Sequence, residues 1–242
     1  MRWSCAPPRQ SKPQRSFISP RTAILRGKLN FQHIAIAGPL EAGKSELAAR
    51  LAVRLNATVV HDETTENPFL EDFYAGTPGA AFQTQLFSLL ARHRQQITLR
   101  QTNLFSQTTI CDYLFDKDKI YAYLNLDDNE LFIYQRLFDL LVRDIVPPDI
   151  TIFLQAPPEV LCGRLEEHAR HDPELSLPDT DYIRELCEAY NHFFFHYTAT
   201  PLLVVDTSYF DLGWTDETID DLIKQLEEMT GGTRYYVPRI EP

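Results

Sequence analysis

Gly38-Pro39-Leu40-Glu41-Ala42-Gly43-Lys44-Ser45 fits the pattern G-x-x-x-x-G-K-[ST] and directly follows the apolar stretch His33-Ile34-Ala35-Ile36-Ala37. These residue types at this spacing bind nucleotide phosphates. Two glycines let the backbone turn tightly enough for successive N–H groups to point at phosphate oxygens, and a helix starting near Lys44 adds the positive end of its dipole. Lys44 then reaches the β/γ-phosphates and the Ser45 hydroxyl is offered to Mg²⁺. A phosphate donor such as ATP is the expected cofactor, and the acceptor is left open.

Further polar residues stand where such a loop would need them. Asp62 and Glu63 follow one apolar run, and Asp112 closes another, Thr108-Thr109-Ile110-Cys111. An aspartate at the carboxyl end of a strand beside a phosphate loop is placed to hold Mg²⁺ or its waters, although such a residue can also cap the next helix. Gln85 and Arg92 are seven residues apart, hence on one helical face two turns apart, beside the apolar Phe82, Leu86, Leu89 and Leu90. His168 with His171, and His192 with His196, are spaced for metal binding but lack the Glu or Cys partners of a zinc site. Phe193, Phe194, Phe195 and Tyr197 make the second pair's surroundings an aromatic packing surface, one that could serve a subunit interface.

To position such residues the chain alternates short apolar runs with longer 3.6-periodic segments from Phe31 onward, the signature of a parallel α/β sheet wrapped by helices. Strands are expected over 32–37, 58–62, 108–111, 150–154 and 202–205, and helices over 44–55, 80–100, 128–144, 158–170, 180–196 and 216–229. Pro158 is read as the first residue of its helix and Asp216 as an N-cap. The segments at 150–154 and 202–205 are continuously apolar, as central parallel strands buried on both faces should be. No internal repeat and no second domain is visible. Residues 31–229 read as one domain, and 230–242 as an irregular C-terminal arm.

The 242 residues carry a net charge of −11. Residues 1–30 hold seven bases and no acid, so beyond them 16 bases face 34 acids, a net of −18. So acidic a body repels nucleic-acid polymers and favours a single nucleoside or nucleotide. No stretch approaches the length of a membrane span. Four cysteines without C-x-x-C pairing suit a reducing compartment. The proline- and serine-rich basic leader, 1–30, reads as disordered, as a mitochondrial-type transit segment, or as an upstream extension of the frame.

Four ordered segments after the loop give the chain a family likeness. They are Glu66-Asn67-Pro68-Phe69-Leu70, Ala81-Phe82-Gln83-Thr84-Gln85, Asp112-Tyr113-Leu114-Phe115-Asp116-Lys117-Asp118 and Ala189-Tyr190-Asn191-His192-Phe193-Phe194-Phe195. From about Phe31 to about Thr207 the chain resembles the deoxynucleoside kinases, particularly their bacterial deoxyadenosine/deoxyguanosine kinase branch. The resemblance implies a P-loop kinase fold with five parallel strands and a short lid, a cytoplasmic homodimer, and ATP-dependent phosphorylation of a deoxynucleoside 5′-hydroxyl, with a purine favoured. A mitochondrial matrix location would follow if the leader is a transit segment.

The resemblance also implies roles. The acid at the end of the second strand takes the hydroxyl proton, which falls on Asp62 where most members have Glu; Glu63 is a second candidate. Gln85 is implied at the nucleobase edge, Arg92 paired with Asp118 beneath the base, and Tyr74 at the sugar 3′-oxygen. Members usually carry several lid arginines that close on the triphosphate. Here Arg164 and Arg170 stand among Glu166, Glu167, His168 and His171, and Asp172 or Glu174 is left as the lid acid. The arginine usual after the third-strand acid is replaced by Tyr113, a change the resemblance implies is shared by the bacterial branch. Two other readings stay open: a kinase for another small acceptor such as a nucleoside monophosphate, and a nucleotide-binding accessory protein that has lost catalysis. The segment from Asp62 to Gly79 contains no Lys or Arg, which argues for an uncharged acceptor.

Overall fold

The computed structural model describes residues 31–62, 67–102, 108–171, 178–209 and 213–238, so the leader expected over 1–30 lies outside the described residues. In chain order the elements are β1 (His33–Ala37), α1 (Lys44–Leu55), β2 (Thr58–Val60), α2 (Leu70–Tyr74), α3 (Ala80–Thr102), β3 (Thr109–Cys111), α4 (Lys117–Asn125) and α5 (Asp128–Leu141). A 3-10 turn at Val142–Asp144 follows, then β4 (Ile150–Gln155), α6 (Pro158–His171), α7 (Thr180–Phe195), β5 (Leu202–Asp206), α8 (Asp216–Glu227) and β6 (Thr233–Tyr236). The strands form one parallel sheet in the order β2-β3-β1-β4-β5-β6.

Both faces of the sheet are covered, and the alternation along each strand explains how. Ile34 and Ile36 of β1, with Ile152 and Leu154 of β4, pack under α1, α6 and α8 through Leu47, Leu51, Leu161 and Leu222. Ala35 and Ala37, with Phe153 and Val204, face the opposite layer, where α4 and α7 supply Ile120, Leu186, Tyr190 and Phe194. Small alanines on this side of β1 leave room for the large rings of Phe153 and Tyr190, stacked at 6.2 Å. A third cluster joins α3, α4 and α5 through Leu89, Ala122, Tyr134 and Phe138.

The sheet has six strands rather than the expected five. Thr233–Tyr236, expected within an irregular arm, pairs in parallel with β5 from Leu202↔Thr233 to Val205↔Tyr236. As an edge strand it buries Tyr236 alone, which removes the apolar run that marks an internal strand. The short helices α2 and α4 were also not anticipated. α6 begins at Pro158 as expected, whereas the N-cap of α8 is Thr215, whose side chain accepts from the Thr218 N–H, and Asp216 is the first helical residue.

Candidate active site

The loop from Gly38 to Ser45 joins β1 to α1 at the carboxyl edge of the sheet, where β1 lies between β3 and β4 and the strand order reverses. Glycine is required at Gly38 because a Cβ there would lie 2.8 Å from the Leu154 carbonyl oxygen of β4. Gly43, with φ of 89°, turns the chain into α1 and provides no side-chain cap, leaving the first helical amides for a ligand. The Lys44 ammonium donates to the Pro39 carbonyl at 2.7 Å, folded back over its own loop. Burial, and then the nearby Lys117 ammonium, push the Lys44 amine down from 10.5 to about 8.

Asp112, just past β3 and 4% exposed, ties the loop to β2. One oxygen accepts from the Ser45 hydroxyl at 2.9 Å and lies 2.8 Å from His61 Nδ1; the other accepts the Asp62 N–H at 2.8 Å. A hydroxyl and a carboxylate side by side are the hard oxygen donors that suit Mg²⁺, an ion that keeps several waters and takes other ligands from substrate phosphates. Among the described residues no group of three or more His, Cys, Asp or Glu is placed to hold a metal, and the His192 and His196 rings meet edge to face at 4.9 Å.

Deeper in, Arg92 of α3 joins two carboxylates. Its Nε and Nη2 donate to the two oxygens of Asp62 at 3.0 and 3.2 Å, and its Nη1 donates to Asp118 of α4. Tyr134 of α5 donates to the second Asp118 oxygen at 3.1 Å, and Gln85 Nε2 donates to the Asp118 carbonyl at 2.9 Å. Lys117 contacts the Asp62 carboxylate from the other side. Burial opposes the ionisation of Asp62, but Lys117 and Arg92 outweigh it and hold the carboxyl well below the usual carboxylate range. Burial likewise works against the charge of Arg92, yet Asp118 and Asp62 raise its pKa further, so the guanidinium stays charged.

Between the loop and this cluster lies a cavity of about 290 Å³, at the small end for a ligand pocket. Lys44, Ser45, Asp62, Arg92, Asp112 and Asp118 line it, with Tyr74, Gln85 and Lys117. Asn67 braces one wall, donating to the Thr84 carbonyl at 2.9 Å and the Ser88 hydroxyl at 3.1 Å. Tyr74, at the end of α2, is 42% exposed and closes the mouth beside Tyr182 of α7.

The lid residues are placed differently. Arg164 of α6 donates to the Glu41 carbonyl at 3.2 Å and the Thr207 carbonyl at 2.5 Å, so it braces the phosphate loop from outside the cavity. Arg170 is exposed and paired with Glu167 one helical turn earlier. His168 lies 3.1 Å from a Glu41 carboxylate oxygen. Glu63, Asp172 and Glu174 lie outside the described residues. Sequence reasoning gave no site role to Lys117 or His61. Lys117 sits in a quoted segment, but nothing local shows that a lysine opening a helix turns inward.

The sequence model of the deoxynucleoside kinases matches residues 34–230. A deoxyguanosine kinase of Bacillus subtilis is 30% identical over 158 residues, covering 65% of this chain and 75% of its own. A deoxyadenosine kinase of Dictyostelium discoideum is 32% identical over 176 residues, covering 70% and 69%. Among solved structures, the deoxyadenosine kinase of M. mycoides with bound dATP aligns over 79% of this chain and 97% of its own, with 25% identity and a TM-score of 0.64. Sequence match, sheet and loop therefore agree, and the chain belongs to the deoxynucleoside kinase family.

Proposed function

We propose that this protein transfers the γ-phosphoryl group of ATP to the 5′-hydroxyl of a purine deoxyribonucleoside in nucleotide salvage. The observation that carries this reading is the single cavity in which Lys44 and Ser45 face Asp62, Arg92 and Asp118. The loop supplies the donor side. On the acceptor side Arg92 and Lys117 are matched by Asp62 and Asp118, which suits an uncharged nucleoside better than a monophosphate. The purine preference is supported by relatives named as deoxyguanosine and deoxyadenosine kinases.

Lys44 binds the donor's terminal phosphates once its ammonium leaves the Pro39 carbonyl. Asp62 accepts the hydrogen bond of the 5′-hydroxyl and orients its oxygen toward phosphorus. Because phosphoryl transfer passes through a loose transition state, positioning outweighs base strength, and a carboxylate of low pKa can serve. Gln85 presents an amide to the base edge, the Arg92–Asp118 pair lies beneath the base, and Tyr74 holds the sugar. Ser45 and Asp112 would hold Mg²⁺ or its waters, whose charge neutralises the transferring phosphates when the ion is bound. Arg164 acts through the loop it braces; Arg170 would need to leave Glu167 to reach phosphate, and Asp172 or Glu174 completes the sugar site.

A homodimer in the cytoplasm belongs to the same reading. Its support is an open groove of about 990 Å³ between α4 and α7, lined by Ile120, Leu124 and Phe193 and flanked by Tyr123, which is 62% exposed. Light scattering should give twice the 28.0 kDa chain mass, and the monomer mass would refute the dimer. Among the described residues no helix is long and apolar enough to cross a membrane.

The test of function is incubation of the full chain with ATP, Mg²⁺ and each of the four deoxynucleosides. Formation of dAMP or dGMP above the pyrimidine products is the expected outcome. ATP binding without any monophosphate would favour the accessory-protein reading instead.

A further inference from the structure

Tyr113, directly after Asp112, does not face the cavity. Its ring is 1% exposed; its hydroxyl donates to Gln95 Oε1 at 2.5 Å and accepts from Gln96 Nε2 at 2.9 Å, both on α3. The position directly after Asp112 therefore brings no charge to the reacting groups. One turn later Lys117 does. It opens α4, is 6% exposed, lines the cavity with Lys44 and Asp112, and touches Asp62.

Resting on the kinase reading above, we propose that Lys117 is a catalytic residue that supplies the cation the position after Asp112 does not. Its ammonium holds Asp62 before the acceptor enters and contacts the transferring phosphoryl group as the 5′-oxygen attacks. The charge balance explains why one group can do both. Arg92 and Lys117 carry two positive charges against the two negative charges of Asp62 and Asp118, and Arg92 already spans both carboxylates. During transfer the bond from the 5′-oxygen to the γ-phosphorus forms, and the bond from that phosphorus to the β,γ-bridging oxygen breaks. The electron pair stays on the departing ADP, and the hydroxyl proton passes to Asp62. Neutralising Asp62 leaves Lys117 without its counter-charge, beside the anionic oxygens of the phosphoryl group. A cation freed at that moment binds the transition state more strongly than the ground state, the condition for raising kcat rather than lowering KM.

The test compares K117M, K117R and K117A with the wild-type full chain. Steady-state kcat and both KM values are measured with ATP, Mg²⁺ and the best deoxynucleoside, alongside ATP titration and thermal melting. The expected result for K117M is a kcat lower by about 10²–10³, as for loss of one transition-state donor, with each KM within about threefold of wild type. K117R should keep kcat within about tenfold, and ethylammonium added to K117A should restore turnover in proportion to its concentration. A residue that merely tethers Asp62 would leave kcat of K117M within about threefold, or raise only the deoxynucleoside KM, and either result overturns the proposal. If K117M does not fold, K117R and the ethylammonium response decide; inactive, folded K117R together with an unresponsive K117A also overturns it. A wild-type protein that phosphorylates none of the four deoxynucleosides would refute the kinase reading and this proposal together. An active wild type with an unaffected K117M refutes the proposal alone.

Discussion

Replacing Lys44 by methionine should stabilise the free protein while abolishing its response to ATP. Lys44 lines the cavity, and burial together with the nearby Lys117 ammonium lowers its pKa from 10.5 to about 8. A shift of that size corresponds to about 3 kcal/mol against holding the charge. The amine still opens partly to the cavity, so solvent screening reduces this to roughly 2 kcal/mol. Loss of the hydrogen bond to the Pro39 carbonyl returns about 1 kcal/mol. The net gain is about 1 kcal/mol, or roughly 2–4 °C in Tm for a chain of this size.

The pH dependence of that gain is fixed by the same numbers. A lysine whose folded pKa is lowered destabilises the fold fully below about 8. The effect is relieved as pH rises toward the unfolded value of 10.5. The Tm advantage of K44M should thus be level from pH 6 to 8, shrink to nothing as pH rises further, and reverse by about pH 10.5, where only the lost hydrogen bond of about 1 kcal/mol remains. With ATP and Mg²⁺ at about a hundred times the dissociation constant, wild type should gain about 2.7 kcal/mol and K44M almost nothing. Scanning calorimetry across this pH range, with and without nucleotide, is the measurement. A K44M protein less stable than wild type at pH 7, or a difference that does not change between pH 7 and 10.5, would refute the reasoning.

Two further perturbations probe the frame around the cavity. R92M leaves Asp62 and Asp118 with Lys117 as their shared cation, and breaking a buried pair of this kind costs about 3–5 kcal/mol; calorimetry should show Tm lower by at least about 6 °C, and an unchanged Tm would mean that the cluster is not coupled. G38A places a methyl group 2.8 Å from the Leu154 carbonyl and 3.2 Å from its Cβ. The loop must shift, lowering stability by about 1–3 kcal/mol and ATP affinity by at least about tenfold, and titration calorimetry giving wild-type affinity would contradict this account.

Much of the frame was legible because it depends on local pattern. β4 and β5 are apolar runs whose residues are buried on both faces, and the phosphate loop is a pattern contained in eight consecutive residues, even though the demand for glycine at Gly38 comes from Leu154 of β4. Asp62, Gln85, Arg92, Asp112 and Asp118, all singled out in the sequence, line one cavity. What escaped was non-local. β6 exists because the chain beyond α8 comes back to pair with β5, and its sequence, Thr-Arg-Tyr-Tyr, carries no apolar run. Lys117 and Asp62 are 55 positions apart, and nothing in either neighbourhood reports the other.

The sequence by itself determined that a strand runs into a phosphate-binding loop and a helix, and that a parallel sheet carries acids at its carboxyl edge. Glycine geometry, residue periodicity and charge suffice for those statements. Tertiary structure decided the electrostatics of the site. It turned Tyr113 into the interior beside Gln95 and Gln96, brought Lys117 to Asp62, and set Arg92 between two carboxylates. It also paired Arg170 with Glu167 rather than with the cavity. Coulomb energies depend on distance and burial, and those quantities are fixed only when separate helices pack on the same sheet edge.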